Sequence, residues 1–344
     1  MTGPGGHDPP WPWMFCGRID LKGTFMKNRL ILSTATALLA LALPANAGVS
    51  IDRASPSIGG CPFAVSPAQV FNLVPPGGGC DVFGVGPVLE VMPPAMGLVP
   101  MDNIDALSAN TLTPETLSYY LVFSGSRGSV GMAGTPYSVE AVNNQAASDL
   151  WRTLITSASP AASMAACAPV AIAAPHFLHR NQTGFNLART AAPGVAVAAG
   201  QDNIDAVELD VLDFTGDDVH DVPVYFSLDP ASPNLVASGA DIYFSPAGAG
   251  FFVPFSFPAA IGLVGMDNVD SLVMWDRVNI GVADAGVDFA LFSLAPGSPT
   301  LAAIGGSPAD IFVTNFAGGF CLFAPAGALG LIGADNVDGL DVMP

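Results

Sequence analysis

Four short stretches of the chain carry the same acidic pattern. Asp102-Asn103-Ile104-Asp105-Ala106-Leu107 recurs as Asp202-Asn203-Ile204-Asp205-Ala206-Val207, then as DNVDSL from Asp267 to Leu272 and DNVDGL from Asp335 to Leu340. Two kinds of chemistry suit the spacing DN[IV]D. The Asp-Asn pair suits a turn, because both side chains bond the backbone two residues on and tolerate left-handed geometry. The second aspartate would then lead into a strand with an apolar pair behind it. The other chemistry is cation binding. Carboxylates gathered from several repeats repel one another unless they are protonated or neutralised by a hard cation, and calcium takes six to eight oxygen ligands. The candidate metal ligands are therefore Asp102, Asp105, Asp202, Asp205, Asp267, Asp270, Asp335 and Asp338, with Ca2+ as the candidate cofactor.

Other chemistry is thinly represented. Asp210, Asp213, Asp217, Asp218 and Asp221 form the densest acidic run but lack the EF-hand order and its glycine. His176 and His179 make a bare HxxH without a third ligand in view. No GxSxG elbow, HExxH pair or dinucleotide glycine fingerprint occurs. No lysine follows Lys27, which excludes Schiff-base chemistry and a P-loop lysine beyond that point. A formal net charge of -19, from 10 basic and 29 acidic side chains, argues against a nucleic-acid partner, which would need clustered Lys and Arg. The reading leans away from an enzyme.

Two further elements accompany the acidic one. A serine element appears as Ser50-Ile-Asp-Arg-Ala-Ser-Pro-Ser, Ser227-Leu-Asp-Pro-Ala-Ser-Pro-Asn and Ser293-Leu-Ala-Pro-Gly-Ser-Pro-Thr, with a degenerate copy from Phe123 to Ser126. An Asp followed by apolar residues appears at Asp81, Asp149, Asp241 and Asp310. The order serine element, Asp-apolar element, DN[IV]D holds in four units, about 49–107, 119–207, 223–272 and 289–342. The second unit carries an insertion, about 153–200, with an Ala-rich stretch from Ala158 to Pro175 that suits a short helix or a flap. Runs such as Val224–Leu228, Asp241–Phe244, Phe251–Phe255 and Val269–Met274 are β-branched or aromatic and bounded by Gly, Pro, Asp and Asn, as strands are. The alternation around Phe251, Phe252, Phe255 and Phe257 points to strand packing.

Repeated groups of three or four strands predict an all-β repeat fold, a four-bladed β-propeller closed by its own termini. A β-sandwich pair and an open β-solenoid are the alternatives. The repeat resembles the DxDAL-type repeats of secreted bacterial proteins that look like β-propellers. The resemblance covers most of residues 49–344, implies compartment and fold, and brings no activity with it.

At the N-terminal end, Lys27 and Arg29 precede an apolar run from Leu30 to Leu43 and a small-x-small triplet at Ala45, Asn46 and Ala47. That is the pattern of a secretory signal peptide over 26–47, with cleavage after Ala47. The run would span roughly 21 Å as a helix, short of a hydrocarbon core of about 30 Å. Residues 1–25 precede the natural start of such a leader, which leaves 48–344 as a single four-repeat domain. Export permits disulfides among Cys61, Cys80, Cys167 and Cys321, and Cys61–Cys80 closes the shortest loop. The expected function is a secreted (extracellular or periplasmic) binding or surface-associated structural module, calcium-stabilised, with a glycan or protein ligand and no membrane span. The alternative is a secreted propeller hydrolase or lyase acting on polysaccharide, using a pair of acids with the insertion as a lid.

Overall fold

The structure is a computed structural model that describes residues 47–57, 66, 70–73, 87–91, 93–111, 118–143, 145–156, 177–180, 202–209, 223–246 and 251–342. The fold is all-β, with four antiparallel sheets of four strands each and few helices. Sheet 1 contains β1 (Ala47–Ile51), β2 (Val70–Leu73) and β3 (Pro87–Val91). Sheet 2 runs β4 (Ile104–Thr111), β5 (Ser118–Gly125), β6 (Leu150–Thr156) and β7 (Phe177–Arg180). Sheet 3 runs β8 (Ile204–Leu209), β9 (Val224–Leu228), β10 (Ile242–Ser245) and β11 (Val253–Ser256). Sheet 4 runs β12 (Val269–Trp275), β13 (Phe289–Leu294), β14 (Ile311–Thr314) and β15 (Phe320–Ala324). The last strand, β16 (Val337–Val342), does not begin a fifth sheet. It pairs with β1, so sheet 1 has the order β16-β1-β2-β3.

Each sheet therefore starts with a DN[IV]D strand followed by the serine-element strand. Sheets 2, 3 and 4 take their third strand from the Asp-apolar element at Asp149, Asp241 and Asp310, whereas sheet 1 takes β2, and Asp81 lies outside the described residues. The sequence unit and the sheet are out of phase by one strand, and the union of β16 with β1 absorbs the offset. The four DN[IV]D strands lie against one another, β4 and β12 each contacting both β8 and β16. The predicted strand over Val224–Leu228 is β9 to the residue, and the other three predicted runs shift by one or two residues at their ends.

Four apolar clusters lie between successive sheets. Val70 joins Leu107, Phe123 and Trp151 between sheets 1 and 2. Ala106, Val207, Phe226 and Tyr243 fill the gap between sheets 2 and 3. Phe244, Phe255, Phe292, Phe312 and Phe320 serve sheets 3 and 4, and Val49, Ile51, Val273, Ile311 and Leu340 serve sheets 4 and 1. The inner strands of sheets 3 and 4 are accordingly buried along nearly their whole length, which is why they read as apolar runs rather than alternating ones. The phenylalanine cluster before β11 divides. Phe252 packs edge-on against Phe226 and Tyr243, and Phe255 against Tyr225 and Phe316. Phe251 and Phe257 are half exposed and flank β11 rather than lying in it.

Three short helices, α1 (Pro136–Val142), α2 (Pro258–Ile261) and α3 (Pro299–Ile304), each begin on a proline, whose fixed φ suits the first helical turn. Helix α2 ends on Gly262 at φ 80°, against the backbone of Gly319 in sheet 4, where an added Cβ would stand 2.7 Å from the Gly319 Cα. Gly318 donates its N–H to the Ala260 carbonyl at 2.7 Å beside it. Gly262→Ala is expected to destabilise the fold by about 2 kcal/mol, from the left-handed conformation and the close approach together. Urea denaturation checks this: an unchanged midpoint would mean that sheets 3 and 4 do not depend on that contact.

Candidate functional site: an acidic cavity at the DN[IV]D strands

The two aspartates of each motif have different work. The first is buried and faces its own turn. Asp102 accepts the backbone N–H groups of Val99, Val130 and Gly131 at 2.8, 2.7 and 3.0 Å. Asp267 accepts from the N–H of Val264 and Thr300 at 2.8 and 2.9 Å and from the Thr300 hydroxyl at 2.5 Å. Asp335 accepts from Ile332 and Ser57 N–H, both at 2.9 Å, and from the Ser57 hydroxyl at 2.6 Å. Asp202 takes both the backbone and side-chain N–H groups of Asn234, at 2.9 and 2.8 Å. The serine element supplies the other half of this latch. Ser55, Ser129, Ser232 and Ser298 accept the backbone N–H of Asn336, Asn103, Asn203 and Asn268 at 2.8 to 3.1 Å. The two recurring sequence elements are thus the two sides of one hydrogen-bonded joint, which satisfies the backbone donors of a buried turn.

The second aspartate sits in a β-bulge in all four strands. The pairing register skips Asp105, Asp205, Asp270 and Asp338, each the one residue of its strand end without a cross-strand partner. A bulge re-aims a side chain. Here it lets an apolar residue, an aspartate and a small residue follow one another while both neighbours stay in the core. Ile104 and Ala106 are fully buried on either side of Asp105. The next position is small in every copy because of crowding, and a Cβ on Gly339 would meet the Leu107 Cβ at 2.6 Å.

The asparagines join these carboxylates to one another. Asn103 donates to Asp105 at 2.6 Å and to Asp338 at 2.9 Å, and Asn203 to Asp205 at 2.9 Å and Asp105 at 2.8 Å. Asn268 donates to Asp205 at 2.6 Å. Asn336 donates to Asp270 at 2.6 Å and to Asp338. The result is one continuous chain of eight side chains drawn from all four motifs. Its two ends, Asn268 and Asp270, are two residues apart in sequence. The amide oxygens point the other way. Asn103 Oδ1 accepts the Arg53 N–H at 3.1 Å, whereas Asn203, Asn268 and Asn336 Oδ1 are buried without a partner. Pro230 and Pro296 hold the place of Arg53 in their serine elements and have no N–H to give.

Above this chain lies a cavity of about 610 Å³, lined by Asp52, Asp105, Asp205, Asp229, Asp270 and Asp338, with the four asparagines and Arg53. Asp229 also forms an ion pair with Arg127 at 2.7 Å. Burial is the main cause of a raised affinity for protons here. It pushes Asp105 up to about 7 and Asp270 up to about 8, the amide donors of Asn203 and Asn336 pulling the other way. Asp205 and Asp338 are also lifted well above the ordinary carboxylate range, by burial and then by the charges of Asp270 and Asp105. Asp105, Asp205 and Asp338 each accept two asparagine amides, and Asp270, at the end of the chain, accepts one, from Asn336.

Of the eight aspartates expected to act as ligands, the structure brings four together and leaves Asp102, Asp202, Asp267 and Asp335 in their turns. Among the described residues, no group of three or more His, Cys, Asp or Glu is arranged to hold a metal ion. The residues missed in the sequence are the asparagines as donors, together with Asp52 and Asp229 on the rim. The signal was present in the repetition itself. A turn accepts Asp, Gly or Ser as readily as Asn, yet all four copies hold Asn, the residue with two N–H groups to share. The acidic run over 210–221, the Ala-rich stretch, His176, His220, and Cys61, Cys80 and Cys167 lie outside the described residues; His179 falls in β7. Cys321 is disulfide-bonded, its partner lying outside the described residues. No helix among the described residues is long and apolar enough to cross a membrane. No protein-family profile matches the chain, and no curated protein sequence matches it.

Proposed function

We propose that the chain is a secreted four-bladed β-propeller that acts as a binding or surface-associated structural module, with its acidic cavity as the place where a hard cation, calcium, is taken up. The observation that carries this reading is the continuous Asn–Asp chain. It draws one residue pair from every DN[IV]D strand and leaves the remaining carboxylate lone pairs facing a cavity with six acids and one arginine around it. Four apolar clusters between successive sheets and the shared first and last sheet support the propeller arrangement over a sandwich or an open solenoid. The leader pattern before Gly48 and the disulfide at Cys321 support export, since disulfides persist in oxidising compartments. The ligand of the module as a whole is a glycan or a protein, and the surface chemistry is far too acidic for a nucleic acid.

The test is a thermal melt of protein purified from an exporting host, in excess EDTA and across a calcium titration at pH 7.5. A calcium-dependent gain of about 2.7 kcal/mol is expected when free calcium is 100 times its dissociation constant. Asp205→Asn and Asp270→Asn should each abolish the gain. An identical melt from EDTA to millimolar calcium would remove the metal from the reading and leave protons and amides to neutralise the Asn–Asp chain.

A further inference from the structure

Strand β1 begins at Ala47, the residue after which the leader pattern places the cut, and it is an interior strand. Ala47 pairs with Val342 on one side and Leu73 on the other, and Gly48 pairs with Asp341 and Asn72. Val49 and Ser50, immediately beyond, are fully buried. A peptidase reads its substrate as an extended segment with a free edge, by adding a strand of its own. The Ala47–Gly48 bond has no free edge once both neighbours are in place, and cutting it then requires those pairs to open first. Proteolysis of a folded chain tracks the small population of such open forms.

The two neighbours arrive at very different times. β2 follows β1 by about twenty residues, whereas β16 is the last strand of the described chain. On a chain exported N-terminus first, β1 keeps one edge free until β16 has emerged as well. We propose that removal of the leader is ordered before closure of sheet 1, with the pairing of β16 to β1 ending the period in which the Ala47–Gly48 bond can be cut. The inference rests on the export reading above. The cut itself is a hydrolysis by an external signal peptidase: water's hydroxyl goes to the Ala47 carbonyl carbon, giving a carboxylate, and Gly48 leaves as an ammonium.

The experiment uses the full 344-residue chain, diluted from urea with signal peptidase either present from the start or added once the circular dichroism signal has levelled. Intact-mass and N-terminal analysis report the cut. Cleavage after Ala47 is expected when the peptidase is present from the start, and at least tenfold less when it is added late. A chain ending at Leu340, which lacks the residues opposite Ala47 and Gly48, should be cut after late addition as well. Equal cleavage in the two regimes, or protection that survives the truncation, would overturn the proposed order. Cleavage at another bond, or none in either regime, would overturn it too, and would place the failure in the export reading beneath it.

Discussion

Stability of the folded chain is expected to fall as pH rises from about 5.5 to 7.5, against the usual tendency of proteins to be most stable near neutrality. Asp105 and Asp270 hold their protons up to about 7 and 8, and Asp205 and Asp338 are shifted in the same direction. In the unfolded chain the same groups release theirs near 4. Between those limits the folded state binds more protons than the unfolded one. The contribution of these four carboxyls is therefore complete below about pH 4 and is lost progressively as pH climbs through 7 and 8. Each carboxyl that is protonated only in the folded state weakens stability by about 1.4 kcal/mol per pH unit, and a slope of one to two protons is expected between pH 6 and 7. Urea midpoints at half-unit intervals would measure it, in EDTA. Calcium should flatten the slope, because a cation neutralises the same carboxylates without a proton. A flat or rising profile in EDTA would show that the four charges are tolerated together, and the Asn–Asp chain would lose its role as a proton store.

The second large effect belongs to the aspartates that do not line the cavity. Asp267→Ala should cost about 3 to 5 kcal/mol, because it strands the buried backbone N–H and hydroxyl of Thr300 and the half-buried N–H of Val264. That exceeds the loss of an ordinary turn cap, since the carboxylate also ties β12's turn to the start of α3. Asp229→Ala is the matched control. Its ion pair with Arg127 is partly exposed, and losing it should cost under about 1 kcal/mol. Denaturation midpoints with unchanged m-values would carry both results. Equal costs for the two substitutions would mean that the latch is no stronger than a surface pair, and that the sheets are held by their apolar clusters alone.

Much of the fold was legible because repetition multiplies weak signals. A single run such as Val224–Leu228 reads as a strand on composition alone, and four copies of the same punctuation around such runs make a repeat of sheets. The pairing of the chain's first and last strands could be anticipated from where the serine and DN[IV]D elements fall. The site was half legible. DN[IV]D marked all eight aspartates equally, because a turn cap and a cavity carboxylate use the same side chain. What separates them is the bulge at Asp105, Asp205, Asp270 and Asp338. A bulge is a relation between two strands, and neither strand records it alone. The exposed Phe251 and Phe257 flank β11, and where that strand stops is set by its pairing with β10 rather than by its own sequence.

The seam between β1 and β16 also fixes how the molecule would respond to mechanical load. Ala47 and Val342 are paired neighbours at the same end of an antiparallel ladder. A force applied through those two points peels the strands like a zip, straining one hydrogen-bonded pair at a time. Ladders loaded lengthwise share the strain across all their bonds. Pulled by its first and last strands, the chain should therefore part at sheet 1 under low force, with the latches and apolar clusters of the other three sheets still intact.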